Sequence, residues 1–156
     1  MIPAVLSQLL AGDPAASEAF GSSDICAVID WRDGLPEIVA ALSPFLPEGY
    51  LTVDVAGGAK CSLRAGNRRP QALDLSAIPK QEELLLVVNQ ILLPDFELRQ
   101  YTPVDGDGYA VYLAPPETWR ALERSHPQEL ARLFLTVARL AAYWRRNYLA
   151  RLFTKP

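Results

Sequence analysis

Histidine and sulfur are scarce in this chain. Its 156 residues include one histidine, His126, two cysteines, Cys26 and Cys61, and one methionine. A lone histidine between Ser125 and Pro127 reads as a helix-start residue, which leaves a histidine-based triad without support. Zinc would need Cys26, Cys61 and His126 to converge, and no ligand spacing points to that, so no metal is expected. Two cysteines in strand-like surroundings read as buried free thiols, with a disulfide between them as the alternative. Long apolar runs are missing as well. Leu84 to Val88 is far too short to span a bilayer, so stable membrane insertion is not expected. Ile2 to Gly12 has no basic residues before it, unlike a secretory leader, and reads as part of the fold. Cytoplasm is the expected compartment. The dinucleotide, phosphate-loop and nucleophile-elbow motifs are absent, and no cofactor is expected.

Half of the residues are apolar, enough for a sizeable core. The net charge of -3 conceals an asymmetry. Residues 1–50 carry Asp13, Glu18, Asp24, Asp30, Asp33, Glu37 and Glu48 against Arg32 alone. Residues 130–156 carry Arg132, Arg139, Arg145, Arg146, Arg151 and Lys155 with no acid. Such ends can pair within the chain or face partners. Overall acidity argues against a nucleic-acid binder, which is normally basic.

The clearest local pattern is Phe96 to Leu113, two strands joined at Asp105-Gly106-Asp107-Gly108. Opposing Leu98 to Leu113 puts Arg99 against Tyr112 and Gln100 against Val111. One face then carries Phe96, Leu98, Tyr109, Val111 and Leu113; the other carries Arg99, Tyr101, Ala110 and Tyr112. Arg99 can stack on its tyrosine neighbours there. The acidic tip reads as a hairpin turn, since a calcium loop needs further acids and a terminal glutamate.

Before the hairpin, helices are expected over Pro3 to Leu10, Pro14 to Phe20, Leu35 to Leu46 and Pro79 to Leu93. Ile25 to Trp31 reads as a strand covered on both faces, and Tyr50 to Val55, Ala59 to Ala65 and Ala72 to Leu75 as a meander. Asp24 closes a turn and Asp33 caps the next helix; Asp30, late in an apolar strand, is the least explained of the three. After the hairpin, Pro115-Pro116-Glu117 opens a helix to Arg124. Ser125 to Gln128 fits a capping box for a long last helix over Pro127 to Leu152, with a stripe at Leu130, Phe134, Val137, Ala141, Trp144 and Tyr148.

These patterns predict one α+β domain over 1–156: an antiparallel or mixed sheet of about six strands, helices over one face, and a long C-terminal helix. The function expected is non-enzymatic protein binding, of the bacterial immunity kind, in which a compact acidic protein neutralises a basic toxin or enzyme. Asp30, Trp31, Asp33, Arg99, Tyr101, Asp105, Asp107 and Tyr112 are the candidate partner-binding residues, and no catalytic residue is assigned. Two alternatives stand beside it. One is a small enzyme or ligand binder using Asp30 and Asp33, with Arg64 or Arg68 as anion contact. The other is a structural subunit docked through its last helix, where Tyr143 to Tyr148 concentrates aromatic and arginine residues.

Overall fold

The computed structural model describes residues 3–20, 24–78, 80–103, 108–140 and 142. Two short helices open the chain, α1 (Ala4–Leu10) and α2 (Pro14–Phe20), followed by strand β1 (Ala27–Asp30) and helix α3 (Leu35–Leu42). Strands β2 (Leu51–Gly57), β3 (Lys60–Ala65) and β4 (Gln71–Asp74) form the expected meander, and α4 (Gln81–Leu92) leads to the hairpin β5 (Glu97–Tyr101) and β6 (Gly108–Ala114). Helices α5 (Pro116–Ser125) and α6 (Pro127–Leu133) precede a last short strand, β7 (Phe134–Thr136).

Among the described residues the strands form two antiparallel sheets rather than one sheet of six. One has four strands in the order β1-β6-β5-β7, the other three in the order β2-β3-β4. The hairpin is central to the first, and its register is the one alternation predicts: Leu98 opposite Leu113, Arg99 opposite Tyr112, Gln100 opposite Val111. Helices cover both faces of this sheet, not one. Ala27, Ile29, Leu98, Tyr109 and Val111 face a core shared with α3, α4 and the inner face of the three-stranded sheet. Helix α3 touches β1 and β2, and α4 touches β3 and β5, so these two helices join the sheets. Tyr101, Ala110 and Ala114 point the other way, into a second core built with α1, α2, α5 and α6.

That second core is aromatic. The Phe134 ring lies 5.5 Å from Phe20, 5.6 Å from Tyr101 and 5.2 Å from Trp119. Its position explains why the long last helix does not form as expected. At Phe134 the backbone turns extended and pairs with β5, Phe134 opposite Tyr101. The pairing covers an edge of β5 that would otherwise be bare, and it outweighs helix propensity. Helical backbone resumes at 137–140; the stripe residues Trp144 and Tyr148 lie outside the described residues. The capping box is not made either. His126, not Ser125, is the N-cap of α6, and Ser125 Oγ donates back to the Ala121 carbonyl at 3.1 Å.

Candidate functional site: the Trp31 corner

Among the described residues strand β1 lies at the edge of its sheet, four residues long. Ala27 and Ile29 face the core while Val28 is 52% exposed, so one face is wet where the sequence reads as covered on both. Beyond Asp30 the chain reverses through Trp31 and Arg32 into α3. The reversal is stapled by Asp30, the acid the sequence explains least, and by Asp33, which the sequence reads as a helix cap. Asp30 N–H donates to Asp33 Oδ2 at 2.8 Å, and Asp33 N–H donates to the Asp30 carbonyl at 3.0 Å. The Asp30 carboxylate accepts from Arg32 N–H at 2.9 Å and Arg32 Nε at 3.2 Å. These bonds to Arg32 hold the Asp30 carboxyl below its ordinary pKa. Asp33 is therefore a turn clasp, and Gly34 is the N-cap of α3.

Helix α4 closes the staple from behind. Its first residue, Gln81, donates Nε2 to the Asp30 carbonyl and, at 3.1 Å, to the Asp33 carbonyl. Gln81 Oε1 is buried without a partner among the described residues. Gly108, opposite Asp30, completes the packing: a Cβ there would stand 2.5 Å from the Ile29 carbonyl oxygen. On this fixed turn Trp31 projects outward, 56% exposed, with the Arg32 guanidinium 5.3 Å from its ring centroid. Val28, Trp31 and Val55 are the large exposed apolar side chains among the described residues, and two of the three belong to this corner.

The other candidates lie elsewhere. Tyr101 is 1% exposed, with its hydroxyl 3.1 Å from Ser17 Oγ and its ring in the aromatic core. Arg99 is buried beside it, and its guanidinium lies 4.6 Å from the Trp119 centroid rather than on the tyrosines. It pairs at 2.7 Å with both Glu97 and Glu123. Tyr112 is half-buried against Phe20 and Trp119, and burial raises its pKa. This polar-aromatic face is interior, roofed by the helices of the second core. Asp105 and Asp107 lie outside the described residues, as does Tyr143 to Tyr148.

Asp30 and Asp33 do not meet Arg64 or Arg68. Arg68 is bound at the far end of α4, donating to the Ile91 carbonyl at 2.6 Å, the Leu92 carbonyl at 3.2 Å and the Leu93 carbonyl, and pairing with Asp95 at 2.8 Å. With Gln81 holding the acids at the other end, Arg68 and the acids are separated by about 16 Å of helix, and Arg64 bonds to Thr52 instead. Neither cysteine is primed for chemistry. Both are buried and free, and burial pushes the Cys26 thiol up to about 12. Among the described residues no group of three or more His, Cys, Asp or Glu could hold a metal, and no helix is long and apolar enough to cross a membrane.

Sequence reasoning missed Gln81 and the exposure of Val28. The alternation within Ile25 to Asp30 marks Val28 as the residue opposite in facing to Ala27 and Ile29, a signal hidden by its apolar character. Comparison with known proteins returns no family model that matches the chain, and no curated protein or solved structure similar to it.

Proposed function

We propose that this chain is a protein-binding module that acts by occupying a partner, in the manner of a bacterial immunity protein neutralising a basic toxin or enzyme in the cytoplasm. The observation that supports this reading is the Trp31 corner. An exposed tryptophan on a backbone that is already fixed gives binding area at low entropic cost. Asp30 and Asp33 flank it, with Asp24 and Glu37 nearby in sequence, so a basic surface is the complement in charge. Arg32 is held by Asp30 and shields part of the indole, a contact a partner's own aromatic or arginine group can replace.

The test is position-specific crosslinking. A photoreactive phenylalanine at position 31 should capture one protein in host lysate, and the same group at exposed Ala40, on the opposite end of the turn's following helix, should not. The captured protein's own activity should then fall when the native chain is added. Capture at both positions alike, or a captured protein whose activity is untouched, contradicts the proposal.

A further inference from the structure

The three-stranded sheet has an outer face that the Trp31 corner does not use. Leu51, Cys61, Leu63 and Ala65 point into the core. By alternation, Thr52, Asp54, Ser62 and Arg64 point outward. The register sets Thr52 directly opposite Arg64 and Asp54 directly opposite Ser62, a two-by-two block of polar side chains. The β3–β4 loop, Gly66 to Pro70, borders this block and closes a concavity of about 450 Å³. That volume is in the range of small-molecule sites.

The loop is held by backbone bonds, Gly66 N–H to the Tyr50 carbonyl at 2.6 Å and Arg68 N–H to the Ala65 carbonyl at 3.2 Å, and by the Arg68 side chain. Gly66 takes φ +56°, a left-handed conformation suited to glycine, and starts the reversal. Arg68 then reaches back to the carbonyls at the end of α4, to the Tyr50 hydroxyl at 2.7 Å and to Asp95. Its charge is spent on the helix terminus and on that carboxylate. Its neighbours are not spent. Arg64 donates Nε to Thr52 Oγ1 at 3.3 Å, which sets the plane of its guanidinium and leaves both terminal nitrogens without a partner among the described residues. Arg69 likewise has no ion pair or hydrogen bond among the described residues. Both line the concavity, together with the Thr52 and Ser62 hydroxyls and the Asn67 amide.

We infer that this concavity is a binding site for a small phosphomonoester, with Arg64 and Arg69 clamping the phosphate and Asp54 accepting a hydroxyl of the alcohol part. Two guanidinium forks can meet separate edges of a tetrahedral group, which presents more acceptor directions than a planar carboxylate. Two hydroxyls and an amide add neutral donors. Asp54 is the one lining carboxylate, and it repels a bare anion but receives a donor carried on the ester arm. The site stands apart from the Trp31 corner and does not depend on that reading.

The experiment uses the isolated protein, with no partner present. Arginine Nε–H resonances are followed by NMR while inorganic phosphate, glycerol 3-phosphate or acetate is added at constant ionic strength. The Arg64 resonance should shift saturably with both phosphates and not with acetate, and glycerol 3-phosphate should bind about threefold or more tighter than inorganic phosphate. The double variant Arg64→Ala/Arg69→Ala should weaken phosphate binding at least tenfold with an unchanged melting temperature; Arg64→Lys, which keeps the charge and loses the fork, should weaken it less. Asp54→Asn should erase the preference for the ester. Equal shifts with acetate, non-saturating shifts, or full phosphate affinity in both arginine variants overturns the site. An ester preference that survives Asp54→Asn overturns the role of Asp54.

Discussion

The same pair of side chains occurs twice in this molecule and does different work each time. Arg99 lies 4.6 Å from the ring of Trp119, and Arg32 lies 5.3 Å from the ring of Trp31. Both arginines are also paired with a carboxylate near in sequence, Glu97 and Asp30. The contexts are opposite. Trp119 is fully buried, its Nε1 donating to the Glu97 carbonyl at 3.0 Å, and it sits among Tyr112, Phe134 and the helices of the second core. Trp31 stands in solvent on a turn. A cation on an aromatic ring is thus neither a binding signature nor a folding device by itself. Its surroundings decide, because a desolvated charge must stay paired while an exposed one can exchange partners.

Substitutions sharpen this contrast. Trp119→Ala should have the largest effect, about 3–5 kcal/mol of lost stability, because it opens a cavity and removes the indole hydrogen bond to the Glu97 carbonyl. A fall in melting temperature of about 10 °C or more is expected by calorimetry. Arg99→Ala comes next. It leaves Glu97 uncompensated under the helices and should cost about 3 kcal/mol, read as a shift in the urea midpoint. Gly108→Ala attacks the exposed pair through its support. The added Cβ meets the Ile29 carbonyl, so β1 must move off β6, at about 1–3 kcal/mol, with loss of hydrogen-exchange protection along Ala27–Asp30. Arg32→Ala and Trp31→Ala should each change stability by no more than about 0.5 kcal/mol, since neither fills the core. Should Trp31→Ala destabilise as Trp119→Ala does, the contrast fails.

The smallest effect expected is in pH. The folded-state pKa of Asp30 is depressed by Arg32, so its contribution is complete above the unfolded value and disappears as pH falls through the lower folded one. The Arg32 Nε–H resonance should therefore remain in its bonded position at pH 4 and leave it only at lower pH. Departure already near pH 5 would mean that the Arg32–Asp30 clasp is not formed in solution.

Much of the hairpin was legible because each strand alternates two kinds of residue and both faces are buried, which admits one register. Helix α4 was legible for the same reason, a stripe bounded by prolines. The division into two sheets was not. Whether β1 joins β2 or the distant β6 is a long-range choice, and no local pattern records it. Phe134 misled because it continues a helical stripe as well as it fits a strand; its ring is claimed by Phe20, Tyr101 and Trp119, contacts from three distant segments. At the candidate site, Asp30, Trp31 and Asp33 stand out in the sequence by their place at a strand end. Gln81, which locks them, comes from 48 residues or more along the chain and carries no signal of that task. Arg99 and Tyr101 were misplaced toward the surface because their composition is that of an interface, and only the helices laid over them show otherwise.

The most direct test compares native chain and Trp31→Ala as inhibitors of the protein captured from position 31. The account predicts inhibition weakened at least thirtyfold, equivalent to about 2 kcal/mol, with the melting temperature unchanged within about 2 °C. Equal inhibition by the two proteins would contradict it.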